Sequence, residues 1–88
     1  MIYDNHAEFT GISYYCIPVE HYNTVYQLYD IYETWEVNIK DIFDNILVWT
    51  GNFSDLPLKY AVSKFEGAKV YSDDCEIDIF INESEVIE

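Results

Sequence analysis

The apolar positions change period along the chain, and those changes divide it into elements. Residues 9–17 (FTGISYYCI) are dense in β-branched and aromatic side chains and predict a strand, with Gly11 near its start and Pro18 ending it. Proline suits a first helical position and Glu20 an acid-favouring first turn, so a helix is predicted over residues 19–35. Tyr22, Val25, Leu28 or Tyr29, and Tyr32 recur at spacings of three and four, which gives that helix one apolar stripe. Ile39, Ile42, Phe43, Ile46 and Leu47 repeat the helical spacing and predict a second helix stopped by Gly51. Val48-Trp49-Thr50 also suits a strand. A third helix is predicted after Ser54-Asp55-Leu56-Pro57, burying Leu58, Ala61, Val62 and Phe65 and ending at Gly67.

The period then falls to two. Lys69-Val70-Tyr71 predicts a short strand, Ser72-Asp73-Asp74 a turn, and residues 76–82 a second strand. Cys75, Ile77, Ile79 and Ile81 alternate with Asp74, Glu76, Asp78 and Phe80, as in a hairpin with one buried and one acidic face. Residues 83–88 read as a frayed acidic end. The sum is a single α+β domain over residues 1–88: a small antiparallel sheet of about three strands, including the C-terminal hairpin, packed with two to three helices.

Charge changes the picture more than composition does. Seventeen Asp and Glu face four lysines and no arginine, for a net charge of -13 in 88 residues. Self-repulsion of that size destabilises a compact state, so a sequence chosen for stability alone would balance its signs. The imbalance argues against direct contact with nucleic acid or an anionic membrane, both of which need a basic footprint. Half the residues are hydrophobic and sixteen are aromatic, which argues equally against a disordered acidic tail. No run of 18 apolar residues and no basic leader occurs, and the chain reads as a cytoplasmic protein. The sequons Asn52-Phe53-Ser54 and Asn82-Glu83-Ser84 then carry no glycan. Cys16 and Cys75 read as small core residues in a reducing compartment.

Little in the chain suggests catalysis. His6 and His21 fall in different elements, and no phosphate loop, nucleophile elbow or zinc-protease motif is present. The Cys and His spacing matches no common zinc module, and the Asp73–Asp78 acids lack the glycine and twelfth-position glutamate of a calcium loop. No enzyme, cofactor or metal is predicted. The acids themselves are the candidate surface. Alternate strand residues share a face about 6.5–7 Å apart, and helical carboxylates three or four residues apart lie about 5–6 Å apart. Rows at such spacings suit arginine and lysine pockets built for a phosphate backbone. The predicted partner-binding residues are Asp30, Glu33, Glu36, Asp41, Asp44, Asp73, Asp74, Glu76 and Asp78, with Tyr29 and Tyr71 as aromatic anchors.

The chain resembles the small acidic proteins of phages and mobile elements that inhibit bacterial defence, the anti-CRISPR and antirestriction DNA mimics. Phe9-Thr10-Gly11-Ile12-Ser13-x-Tyr15 with the acidic stretch through Glu33, and Ala61-x-x-x-Phe65-x-Gly67 with Tyr71-Ser72, are similar to ArdA-type antirestriction proteins. The chain is about half the length expected of that family and lacks its N-terminal Gly- and Trp-containing strand motif. The resemblance implies an inhibitor that binds a basic nucleic-acid-binding protein, a Cas effector or restriction enzyme, and blocks its nucleic-acid site. The alternative is an acidic interaction module, such as an antitoxin or immunity protein that neutralises a basic partner. A homodimer is compatible with either.

Overall fold

The computed structural model describes residues 14–17 and 19–86. Residues 9–13 of the first predicted strand, Pro18 and His6 lie outside the described residues. The chain folds as an α+β domain around a five-stranded sheet of order β1-β4-β5-β2-β3. The strands are β1 (Tyr14–Ile17), β2 (Glu36–Asp41), β3 (Leu47–Asn52), β4 (Gly67–Tyr71) and β5 (Glu76–Ile81). The helices are two single turns, α1 (Tyr29–Tyr32) and α2 (Leu58–Ala61), accompanied by short 3-10 turns.

The sheet is mixed, not purely antiparallel, and has five strands where about three were predicted. β1–β4, β4–β5 and β2–β3 are antiparallel, while β2 and β5 run parallel at the centre. The extra strands come from the stretch predicted as the second helix. Val37, Ile39 and Asp41 alternate inward along β2, and the chain turns through Asn45 in the left-handed region (φ 60°) into β3. The apolar residues that mimicked a helical stripe, Ile42, Phe43, Ile46 and Leu47, are exposed around that turn. The C-terminal hairpin forms as predicted, with Ile77, Ile79 and Ile81 fully buried. Cys75 instead sits exposed in its turn at φ 52°, so it is not a core residue.

The other predicted helices shrink. Val25, Leu28 and Tyr32 do form the inward stripe, but residues 19–35 are the 3-10 turns Val19–His21 and Val25–Leu28 followed by α1. Valine, tyrosine, isoleucine and asparagine are weak helix formers, and Gln27 reaches back to accept the amides of Asn23 and Thr24, restarting the chain there. α2 buries Tyr60 and Ala61 and leaves Leu58 and Val62 exposed; Gly67 opens β4 and does not cap a helix.

Both connections contribute to one core. Val25, Leu28 and Tyr32 from the first, and Phe53, Tyr60 and Phe65 from the second, pack on Ile17, Val37, Ile39, Ala68, Val70, Ile77, Ile79 and Ile81. The sheet supplies cross-strand rows, one running Ile17–Ala68–Ile79–Ile39–Trp49. Each fully buried Val, Leu, Ile or Phe contributes about 1.5–3 kcal/mol relative to exposure. The connections are tied together by the Phe65 amide on the Asn23 carbonyl (2.9 Å) and a bridge between Thr24 and Lys64. Each sequon caps a strand exit: Asn52 Oδ1 accepts the Ser54 amide and hydroxyl, and Asn82 Oδ1 accepts those of Ser84.

Candidate acidic interface

Parity along the strands sends the polar residues to the opposite face. One row reads Tyr71, Glu76, Glu36, Asn52 across β4, β5, β2 and β3, and the next reads Lys69, Asp78, Asn38, Thr50. A hydrogen-bond network joins these strands. Thr50 donates to Asn38 Oδ1 (2.7 Å), and Asn38 Nδ2 donates to Glu76 Oε2 (2.6 Å) and Asp78 Oδ1 (2.9 Å). Asp78 Oδ2 accepts from the Tyr71 hydroxyl (3.2 Å) and forms an ion pair with Lys40 (3.3 Å). A buried carboxylate on a central strand needs such partners, and Asp78, 6% exposed, has them.

Because β2 and β5 are parallel, their starts lie at the same end of the sheet, beside the β4–β5 turn. Glu36 and Glu76 are direct neighbours in register, about 4.8 Å apart strand to strand. Like charges so placed cost roughly 0.2–1 kcal/mol. Asp73 and Asp74 stand exposed on the adjoining 3-10 turn, and Glu33 is exposed on the connection that leads into β2. Five acids thus gather at this end, and no lysine falls in the row through Glu36 and Glu76.

The far end differs. Asp41 is 6% exposed and accepts the backbone amides of Glu83 (3.0 Å), Asp44 (3.0 Å) and Phe43 (3.1 Å). The Glu83 amide above all, then those of Asp44 and Phe43, holds its carboxyl below the usual range, against the opposing effect of burial. Asp41 therefore fastens the β2–β3 turn to the segment after β5. Beside it opens a cleft of about 480 Å³ lined by Asp41, Phe43, Asp44, Tyr60, Asn82, Glu83, Ser84 and Val86.

The predicted partner-binding residues therefore divide. Glu33, Glu36, Asp73, Asp74 and Glu76 are brought together, with Tyr71 next to Glu76 in register. Asp44 is exposed at the far end, and Asp30 is exposed on α1. Asp41 is turned into the fold, and Asp78 is buried on the polar face among Asn38, Lys40 and Tyr71. Tyr29 is half-buried against the core, stacked on Tyr26 (5.9 Å) and edge-on to Phe53 (5.5 Å). Sequence reasoning missed Asn38, Lys40 and Thr50, although the alternation of Glu36-Val37-Asn38-Ile39-Lys40 carries the signal of a strand with one polar face. Cys16 lies half-buried on β1, where burial pushes its thiol up and Lys69 partly offsets the effect.

Among the described residues no helix is long and apolar enough to cross a membrane, and no group of three or more His, Cys, Asp or Glu is placed to hold a metal ion. No family model, curated protein or solved structure matches the chain.

Proposed function

We propose that this protein is an acidic inhibitor that occupies the nucleic-acid-binding site of a bacterial defence nuclease, a CRISPR-Cas effector or restriction enzyme. One observation carries the reading: Glu33, Glu36, Asp73, Asp74 and Glu76 converge at one end of the sheet, where no lysine falls in the strand row through Glu36 and Glu76. A surface serving only solubility would intersperse lysines among those acids.

The spacing supports phosphate mimicry. Glu36 and Glu76 are about 4.8 Å apart across strands. Duplex DNA carries a phosphate on each strand for about every 3.4 Å of rise, so the carboxylate array matches a phosphate row in order of magnitude.

The test is competition on purified Cas and restriction complexes, using labelled duplex DNA and the quadruple variant Glu36→Gln, Asp73→Asn, Asp74→Asn, Glu76→Gln. Four exposed ion pairs at about 0.5 kcal/mol each make a loss of about 2 kcal/mol, roughly thirtyfold in affinity. Binding should also weaken as salt rises. Simultaneous, independent binding of DNA and this protein to one complex would sink the proposal, as would full affinity in the quadruple variant.

A further inference from the structure

The end of the sheet opposite the acidic array holds the cleft of about 480 Å³ beside Asp41, a size within the range of about 300–1,000 Å³ that ligand sites occupy. Phe43 and Val86 make its apolar wall, and Asp44 and Glu83 are the exposed acids of its lining. Asp41 fixes both sides. One of its carboxylate oxygens accepts the backbone amides of Phe43 and Asp44, and the other accepts that of Glu83. The side chains of Asp44 and Glu83 take no part in this fastening, and neither has a hydrogen bond or ion pair among the described residues.

Tyr60 supplies a second, independent mark of a ligand. It is 8% exposed and packs in the core, yet its hydroxyl has no hydrogen-bond partner among the described residues. A tyrosine hydroxyl so deeply placed ordinarily has one. Among the described residues no side-chain polar atom is both sealed from solvent and unpartnered. The hydroxyl is therefore open, and it opens on the cleft that Tyr60 lines.

We infer that this cleft receives an arginine side chain presented by a protein partner, at a site separate from the acidic array. The lining selects a cation, because ionised carboxylates only accept hydrogen bonds and no lysine lines the cleft. Lys59 comes nearest, with its Nζ 5.2 Å from the Tyr60 ring centroid, but it lines a neighbouring cleft with Glu85. The number of open acceptors selects guanidinium over ammonium. Its fork of five N–H donors has enough for Asp44, Glu83 and the Tyr60 hydroxyl, while the aliphatic stem packs on Phe43 and Val86. An ammonium is a point charge with three donors. The openness of the cleft selects the source. Phe43 is 75% exposed, so a free small cation leaves much of its surface in water, whereas a partner carrying the arginine closes the opening.

This inference stands apart from the proposed function, because its experiment contains no nuclease. Amide chemical shifts of the isotope-labelled intact chain are followed during titration with a capped Gly-Gly-Arg-Gly-Gly peptide. The amides of Phe43, Asp44, Glu83 and Ser84 are expected to move, and those of Asp73 and Asp74 to stay. The lysine peptide should bind about threefold more weakly, and the neutral citrulline peptide should not bind. Asp44→Asn with Glu83→Gln keeps the backbone amides on Asp41 and should weaken binding about fivefold. Asp73→Asn with Asp74→Asn removes the same charge from the other end and should change it less than about twofold. Tyr60→Phe should weaken binding about tenfold. Its melting temperature should equal or exceed that of the native chain, since the hydroxyl bonds nothing in the free protein. Agmatine, a free guanidinium on an aliphatic stem, should bind more weakly than the arginine peptide. The inference is overturned by shifts centred on Asp73 and Asp74, or by no shift up to about 10 mM peptide. Equal affinity for the arginine and citrulline peptides, equal losses in the two double variants, native affinity in Tyr60→Phe, or tighter binding of agmatine overturns it as well.

Discussion

Replacing Asp78 by alanine separates an acid that holds the sheet together from acids that face solvent. Asp78 is 6% exposed and accepts from Asn38, Lys40 and Tyr71. Three hydrogen bonds to an ionised carboxylate at about 1.5–3 kcal/mol each give a gross upper bound of about 4.5–9 kcal/mol. Three effects reduce it. Lys40 and Tyr71 are half-buried and recover water, Asn38 keeps its bond to Glu76, and one of seventeen acidic side chains is removed from a repelling set. A net loss of about 2–3 kcal/mol remains, a large part of the roughly 4–13 kcal/mol expected for 88 residues. In urea, with an m value near 1 kcal/mol/M for a domain of this size, the midpoint should fall by about 2–3 M. Asp73→Ala, exposed on the β4–β5 turn, serves as the control and should stay within about 0.5 kcal/mol of the native chain. If Asp78→Ala unfolds within about 0.5 M of the native midpoint, or no earlier than Asp73→Ala, the network is not holding the strands.

Two further outcomes test other parts of the fold. A Cβ added at Gly51 lies 2.9 Å from the Cη2 and Cζ2 atoms of Trp49, so Gly51→Ala should displace that ring and cost about 1–3 kcal/mol; unchanged stability together with unchanged Trp fluorescence would exclude the contact. Asp41 has a lowered folded pKa, so its contribution is complete above the unfolded value of about 4 and is lost as pH falls through the lower folded value. The melting-temperature gap between the native chain and Asp41→Asn should therefore be flat from about pH 7 to 5 and close below about pH 4. A gap that persists unchanged to about pH 2 contradicts this assignment.

The C-terminal hairpin was legible because Ile77, Ile79 and Ile81 permit only a period of two. The β2–β3 hairpin was not, because Ile39, Ile42, Phe43, Ile46 and Leu47 satisfy a helical spacing by coincidence. What decides between the periods is that β5 lies beside β2, a contact forty positions away that no local window contains. The acidic site was legible in the same measure. Its residue types were visible, but the alternation of Asp74, Glu76 and Asp78 suggested one row, and the structure divides it. Asp74 is in the turn, Glu76 at the sheet's end, and Asp78 beneath its own partners. The junction of Glu36 with Glu76 follows from parallel pairing, which depends on chain topology and leaves no trace in either segment alone.

The central position of β5 governs the order in which the molecule can assemble. It is the last strand in the described chain, yet it joins β4 to β2. Before it arrives, the β2–β3 hairpin and the segment carrying β1 and β4 share no strand pairing, and each exposes an open inner edge. Pairings between residues distant in sequence form slowly, and open edges rich in Val and Ile are where unfinished chains stick to one another. Mutual repulsion among chains that each carry -13 keeps those edges apart during the wait. The charge that burdens the finished sheet, most visibly at Glu36 and Glu76, thereby protects it while it is incomplete.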